Sequence, residues 1–280
     1  IVPQGKESKG TTTALYNLGR LYMNQKDYAQ AETALLKAID ITEKLRTGAT
    51  GSIRRDFMEQ QIYTYQYLTT IYLRNNQPEK AFNNVEIMSG KYLVDQLGEK
   101  MKAQSVEYAD IAKYRLQMDT KTAVLCFSNV SLSAISSDYI GIASFCAHKN
   151  GLAAQEIDSR NFSKTIMASS GKNIETTLEQ LRGFIPAQTF EGAKPSGDNT
   201  VNDFEKIINI YRQLLSKQAL SAPEHKLLDD ISKGLYNLLI TPIEKQLVGK
   251  TELLVIPGDI LAFIPFETLK NKDGKYLIES

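Results

Sequence analysis

Hydrophobic spacing along the chain is helical at first and then strand-like. From residue 12 to residue 45, large and small residues fall at fixed helical offsets: Leu15, Leu18, Gly19, Tyr22, Ala31, Leu35 and Ala38. This spacing predicts two helices, with Asn24 to Asp27 as the turn between them. The small residues let the helices approach and the large ones fill the space between them. The same offsets recur from Ile62, with Tyr65, Leu68, Tyr72, Ala81, Val85 and Met88, and Pro78-Glu79 opens the second helix of that unit. Thr69 stands where the first unit has Gly19, which makes the second copy poorer. The second unit begins 50 residues after the first. Ile41 to Glu59 must therefore lengthen helices or add a loop, and Thr47 to Gly51 is the obvious break. Tyr92 to Gln117 again has helical spacing, around Gly98.

After Asp119 the period changes. Thr122 to Phe127 and Tyr139 to His148 read as strands, and Asn150-Gly151 is a hairpin signal that returns the chain through Leu152 to Asp158. Residues 163–183 read as helical. Residues 186–200, with Gly192, Pro195 and Gly197, read as a loop. Asn202 with Glu205 forms a capping box ahead of Phe204, Ile207, Ile208, Tyr211, Leu214 and Leu215 on one helix face. Ser221 with Glu224 repeats the device ahead of Leu227, Leu228, Ile231, Leu235, Leu238 and Leu239, a run broken at Thr241-Pro242, where Thr241 and Glu244 start a short continuation. Leu253 to Ile256 is a continuous apolar run, read as a strand covered on both faces. Pro257-Gly258 ends it, and Pro265 with Glu267 reads as a helix start.

The first pattern resembles the tetratricopeptide repeat, a helix-turn-helix of about 34 residues. Two copies are fewer than the three or so that such arrays need to bury a continuous core. We therefore expect either further repeats before Ile1 or capping by neighbouring helices. The run Leu253 to Leu269, with Pro257, Gly258, Asp259 and then Pro265, Phe266 and Glu267, resembles the signature of the CHAT family. These are caspase-like domains of bacteria, related to the eukaryotic separases and usually joined to tetratricopeptide repeats. Leu235 to Leu239 with Pro242-Ile243, and Tyr276 to Glu279, resemble what flanks that block. The resemblance implies an α+β multidomain chain. All-α tetratricopeptide-like hairpins would occupy 1–118, and 119–280 would be the N-terminal part of a mixed α/β CHAT domain lacking its catalytic half. Within that part, strands and a hairpin are expected over 122–158, helices over 163–247, and a strand-turn-helix over 253–270.

Composition narrows the function classes. The chain has 280 residues, 42% hydrophobic and 23% charged, enough for about two cores. Its net charge is +1, with Lys+Arg 33 against Asp+Glu 32, so it lacks the basic footprint of a nucleic-acid binder. No apolar stretch reaches the roughly 18 residues that span a bilayer, and no leader pattern opens the chain. We read it as cytoplasmic, without nucleic-acid or membrane partners. Ile1-Val2-Pro3 lacks an initiator Met, from which we expect a piece of a longer protein.

The resemblance implies a cysteine endopeptidase, whose chemistry needs a thiolate with a His as acid-base partner. Cys126 and Cys146 are the only cysteines, and both lie in apolar strand-like runs where Cys acts as a small hydrophobe. His148 follows Cys146 by two residues on the same strand, whereas caspase-like families place the His before the Cys at the ends of different strands. His225 reads as a surface residue. In CHAT domains the catalytic pair lies C-terminal to the Ile-Pro-Phe-Glu block, so no catalytic residue is assigned here and the chain alone is expected to be inactive. No Gly-rich phosphate loop or metal-ligand spacing occurs, and no cofactor or metal is expected.

What remains is the inner face of the repeats, where a protein or peptide partner would bind. By repeat position it comprises Thr13, Tyr16, Arg20, Met23 and Asn24, then Tyr63, Gln66, Thr70, Leu73 and Arg74. Its Arg and Tyr side chains suit a peptide carboxylate or an aromatic anchor. The alternative reading is a non-catalytic adaptor in which repeats and sheet serve only to bind. Oligomeric state is open.

Overall fold

The computed structural model describes residues 8–47, 51–97, 110–131, 140–158, 162, 164–166 and 203–279. The chain forms two compact units, Ile1–Glu156 with Gly249–Ile256, and Ile157–Val248 with Pro257–Ser280.

The first unit opens with two helical hairpins. Helix α1 (Lys9–Asn24) starts at Ser8, whose hydroxyl accepts from the Thr11 N–H at 3.2 Å, and is followed by α2 (Tyr28–Thr47). Helices α3 (Gly51–Arg74) and α4 (Pro78–Leu97) form the second hairpin. Both hairpins turn in the same way. The Asp27 N–H reaches the Tyr22 carbonyl at 2.9 Å and the Lys26 N–H reaches Met23 at 3.0 Å. Fifty residues on, Gln77 reaches Tyr72 at 2.8 Å and Asn76 reaches Leu73 at 3.0 Å. Each is a Schellman closure with a left-handed residue at its centre, Lys26 at φ 61 and Asn76 at φ 54. The excess over the usual repeat length goes into the helices, since α2 and α3 run to 20 and 24 residues.

The two hairpins close differently. A Cβ on Gly19 would lie 2.6 Å from Leu35, so α1 and α2 meet there only because Gly19 has no side chain. In the second hairpin Thr69 takes that place, the facing residue shrinks from Leu35 to Val85, and Asn84 replaces Ala34. The Asn84 amide donates to the Thr69 hydroxyl and to the Tyr65 carbonyl, both at 2.8 Å. A buried polar pair thus replaces close backbone packing, and each of its members is satisfied.

Strand β1 (Thr122–Ser131) runs antiparallel to β2 (Ile140–His148) and parallel to β4 (Glu252–Ile256), and β3 (Gly151–Ile157) lies outside β2, giving the order β3-β2-β1-β4. The expected hairpin forms with Lys149 and Asn150 in the turn, and Gly151 already begins β3. One sheet face packs on the repeats. Cys126, Val130, Ala143, Phe145 and Ala147 join Leu35, Leu68, Ile71, Tyr72, Phe82 and Val85 in a single core, and Phe82 meets Phe145 edge-on at 5.4 Å between ring centroids. Helix α5 (Ile111–Gln117), capped by Asp110, adds Ile111 to it.

This grouping differs from a boundary at 118, which follows the change of hydrophobic period. The sheet supplies one wall of the core that the two hairpins share. The expectation that Leu253 to Ile256 would be covered on both faces is corrected. In β4, Leu254 is 56% and Ile256 46% exposed, because β4 is an edge strand and the apolar core on that face runs under β1 and β2. On α1, Leu18 is 38% exposed whereas its counterpart Leu68 on α3 is fully buried, since α2 of the first hairpin packs against α3.

The second unit contains α6 (Asp203–Ser216), α7 (Ala222–Leu239) and a short α8 (Glu244–Leu247). Phe204, Ile207, Ile208, Tyr211 and Leu214 on α6 are buried, as are Leu227, Ile231, Leu235 and Leu239 on α7. Ser221 opens α7, its backbone N–H donating to Glu224 at 2.8 Å and its hydroxyl at 2.7 Å. The helix expected from Pro265 is instead a single 3-10 turn, Phe266–Thr268, which follows another at Asp259–Phe263. Leu261, Ile264, Phe266 and Leu269 are buried at intervals of two to three residues, a spacing too tight for an α-helical face. The segments expected at 186–200 and the start of the capping box at Asn202 lie outside the described residues, as does most of 163–183.

Candidate functional site

Caspase-like chemistry would require an activated thiol, and neither thiol of this chain meets that need. Cys126 pairs with Phe145 across β1 and β2, and Cys146 with Leu125. The two sulfurs therefore lie on opposite faces of the sheet, and both cysteines are free and buried. Burial pushes the Cys126 thiol up to about 12, with the Glu86 carboxylate adding to the shift. Burial likewise raises Cys146 to about 11 against the opposing pull of Lys250. A thiol in that state is almost wholly protonated near neutrality and is a poor nucleophile. His148 ends β2, where its Nδ1 lies 3.3 Å from the Asn150 N–H that donates to it. His225 sits exposed in the first turn of α7, its Nδ1 3.2 Å from the Ser221 carbonyl. Among the described residues no group of His, Cys, Asp or Glu could hold a metal ion, and no helix is long and apolar enough to cross a membrane.

The residues of the Pro-Gly-Asp and Pro-Phe-Glu block divide by role. Asp259 adopts a left-handed φ of 44 at the strand exit, a conformation that is strained for a non-Gly residue although Asp tolerates it better than most. Pro257, Asp259 and Glu267 are exposed, Gly258 and Pro265 are half-buried and Phe266 is buried. The block is anchored through Thr268. Its carbonyl accepts from the Tyr211 hydroxyl at 3.1 Å and the Ser232 hydroxyl at 2.8 Å, while Lys270 donates from its backbone to Ser232 and from Nζ to Asp229, each at 3.0 Å. The sequence reading passed over Tyr211 and Ser232 in this role because their helical spacing marks them only as core. Beside the anchor a cavity of about 300 Å³ opens, walled by Tyr211, Leu215, Leu228, Ser232, Lys270 and Tyr276.

On the repeats, the ten inner-face positions fall into three groups. Met23, Gln66 and Thr70 are buried, Met23 in the core and the Thr70 hydroxyl bonded to the Gln66 carbonyl at 3.1 Å. Leu73 packs half-buried on the same core. Thr13, Asn24 and Tyr63 are exposed, while Tyr16 and Arg20 are half-buried. Arg20 lies 5.5 Å from the Tyr16 ring centre and 5.9 Å from that of Tyr67, and the two rings meet edge-on at 5.7 Å. Burial, then the neighbouring Tyr67 hydroxyl, raises the Tyr16 phenol, so Tyr16 stays neutral. Tyr67 is therefore part of this cluster. It escaped the sequence reading because it sits one residue off the inner-face register. Arg74, at the end of α3, forms a bidentate pair with Glu156 on β3, Nε at 2.9 Å and Nη2 at 2.7 Å from its two oxygens.

Comparison with known proteins supports two parts of this description. No curated protein matches the chain. Residues 12–45, which form the first hairpin, match the tetratricopeptide-repeat family, and residues 229–280, which hold the Thr268 anchor and its 3-10 turns, match the CHAT domain family. The chain thus carries one segment similar to a tetratricopeptide repeat and another similar to a CHAT domain.

Proposed function

We propose that this chain is the N-terminal part of a bacterial protein in which tetratricopeptide repeats receive a protein or peptide partner and serve a caspase-like cysteine endopeptidase. The 280 residues act as its binding and supporting portion and are inactive alone. The observation that carries this reading is the contrast between the two candidate surfaces. The thiols are buried, protonated and set on opposite sheet faces. Tyr16, Arg20 and Tyr63 present aromatic rings and a guanidinium on the inner helix of the first and second hairpins, backed by the buried ring of Tyr67. Such residues dominate binding energy at protein interfaces. A partner would regulate the catalytic half only by favouring one of its arrangements over another.

Selection of peptides from a random library on the purified chain tests the binding half. Selected peptides should lose about tenfold in affinity on Tyr63→Ala, a substitution at a side chain 46% exposed that leaves the core intact. Peptides that bind equally well to this variant would move the site elsewhere. The adaptor reading shares the same binding face and the same inert thiols. It predicts no His and Cys encoded after Ser280, whereas the peptidase reading requires both.

A further inference from the structure

Asn150-Gly151 is the one Asn-Gly step in the chain, and it sits in the turn between β2 and β3 with an imidazole against it. The carboxamide of an Asn is open to attack by the backbone nitrogen of the following residue. Attack is easiest when that residue is Gly, because a Cβ would crowd the five-membered ring that has to close. Asn150 is exposed in the two-residue turn, and Gly151 is half-buried at the start of β3. Among the described residues no partner holds the Asn150 carboxamide, so it is free to swing toward the Gly151 nitrogen.

His148 borders both residues of this step. Its Nδ1 accepts from the Asn150 N–H at 3.3 Å, so Nδ1 is the basic nitrogen of the ring and faces the turn backbone. The same ring edge lies against Gly151, where a Cβ would be 3.3 Å from Cε1 and 3.4 Å from Nε2. The attacking amide therefore has a base beside it. An amide N–H must give up its proton to become a nucleophile, and a positioned imidazole is suited to take it.

We propose that Asn150 is a self-modification site at which the chain deamidates itself, with His148 as the base. The Gly151 nitrogen gives its proton to His148 and bonds to the Asn150 Cγ. The Cγ–Nδ2 bond breaks, and the amide nitrogen takes that proton from His148 and leaves as ammonia. Water then opens the succinimide at either carbonyl, which yields Asp or isoaspartate with no change of oxidation state. Either product puts a carboxylate in the turn and cancels the formal net charge of +1. Isoaspartate also adds a methylene to the main chain between β2 and β3. Leu152 and Ala154 of β3 pack on the core shared with the repeats, so this lengthening bears on the outer wall of that core.

The test incubates the purified 280-residue chain at neutral pH and physiological temperature. Conversion of Asn150 is followed by peptide mass spectrometry, where exchange of the amide for a carboxyl adds about 1 Da. His148→Gln keeps a polar side chain at the turn but removes the base. It should slow conversion in the folded chain at least about tenfold, the low side of what a positioned acid-base group contributes, because the turn is open to water. In guanidinium chloride, which unfolds the chain and releases His148 from the turn, wild type and variant should convert at one rate. The thermal midpoint of each confirms that it is folded before incubation. Equal rates of the two folded forms overturn the role of His148. Folded wild type that keeps Asn150 intact while the unfolded chain converts overturns the site itself, since the turn then protects the step.

Discussion

Single residues decide how each hairpin closes. Because a Cβ on Gly19 would sit 2.6 Å from Leu35, Gly19→Ala must push the helices apart even though Ala is the better helix former. Overpacking of this kind costs about 1–3 kcal/mol, and the helix-propensity gain offsets up to about 1 of it. Net destabilisation should be near 1 kcal/mol by urea unfolding, and Leu35→Val should relieve it, as Val85 does for Thr69 in the second hairpin. Independent, additive effects of the two substitutions would contradict this contact. Glu43 sets an acid limb to stability. Burial opposes its ionisation, yet Arg46 at 2.8 Å and Lys91 at 3.1 Å outweigh burial and hold the carboxyl below its usual range. An unfolded Glu titrates near about 4.3. A depressed group contributes stability that is fully present above that value and is lost as pH falls through the lower folded value. The stability difference between wild type and Glu43→Gln should therefore be constant from pH 7 to 5 and shrink below about pH 4. A difference that does not change with pH would remove Glu43 from that limb.

At the scale of elements, β4 separates apolar composition from burial. Leu254 is 56% exposed at the sheet edge, whereas Leu125, one residue off its register on β1, is fully buried. Leu254→Lys should leave stability within about 0.5 kcal/mol, as surface substitutions do, while Leu125→Ala should cost about 2–5 kcal/mol. A large loss at Leu254 would mean that the outer edge is covered. The four strands were legible to within a few residues, because β-branched and aromatic runs bounded by turn residues leave little choice. The exposure of β4 was not, because a run of four apolar residues looks the same at an edge as in the middle of a sheet. Capping at Ser221 and the buried faces of α6 and α7 also followed from spacing. The 3-10 turns at 259–268 did not, since Pro265 and Glu267 suit the start of an α-helix equally well and only long-range bonds from Tyr211 and Ser232 to Thr268 fix the tighter turn.

For the whole molecule, the main consequence is that the repeats and the sheet share one core. Phe82, Ile71 and Tyr72 rest on Phe145, Val130 and Ala147, so residues 1–118 alone would expose that wall to water. This fragment should lack a cooperative thermal transition by circular dichroism. A sharp melt like that of the full chain would show that the hairpins fold without the sheet. Change of hydrophobic period located the elements, but the unit boundary depends on which faces meet, and those contacts lie far apart in sequence. Repeat offset places Tyr16 and Arg20 where they are half-buried and Tyr63 where it is exposed. For Gln66 and Thr70 offset gave the position but not the burial. We propose that these residues belong to a peptidase without performing its chemistry. Cleavage of fluorogenic casein by the purified 280-residue chain, with and without iodoacetamide and beside a Cys146→Ala variant, tests it most directly. The account predicts no turnover above buffer in any of the three samples. Iodoacetamide-sensitive turnover that disappears in Cys146→Ala would contradict it.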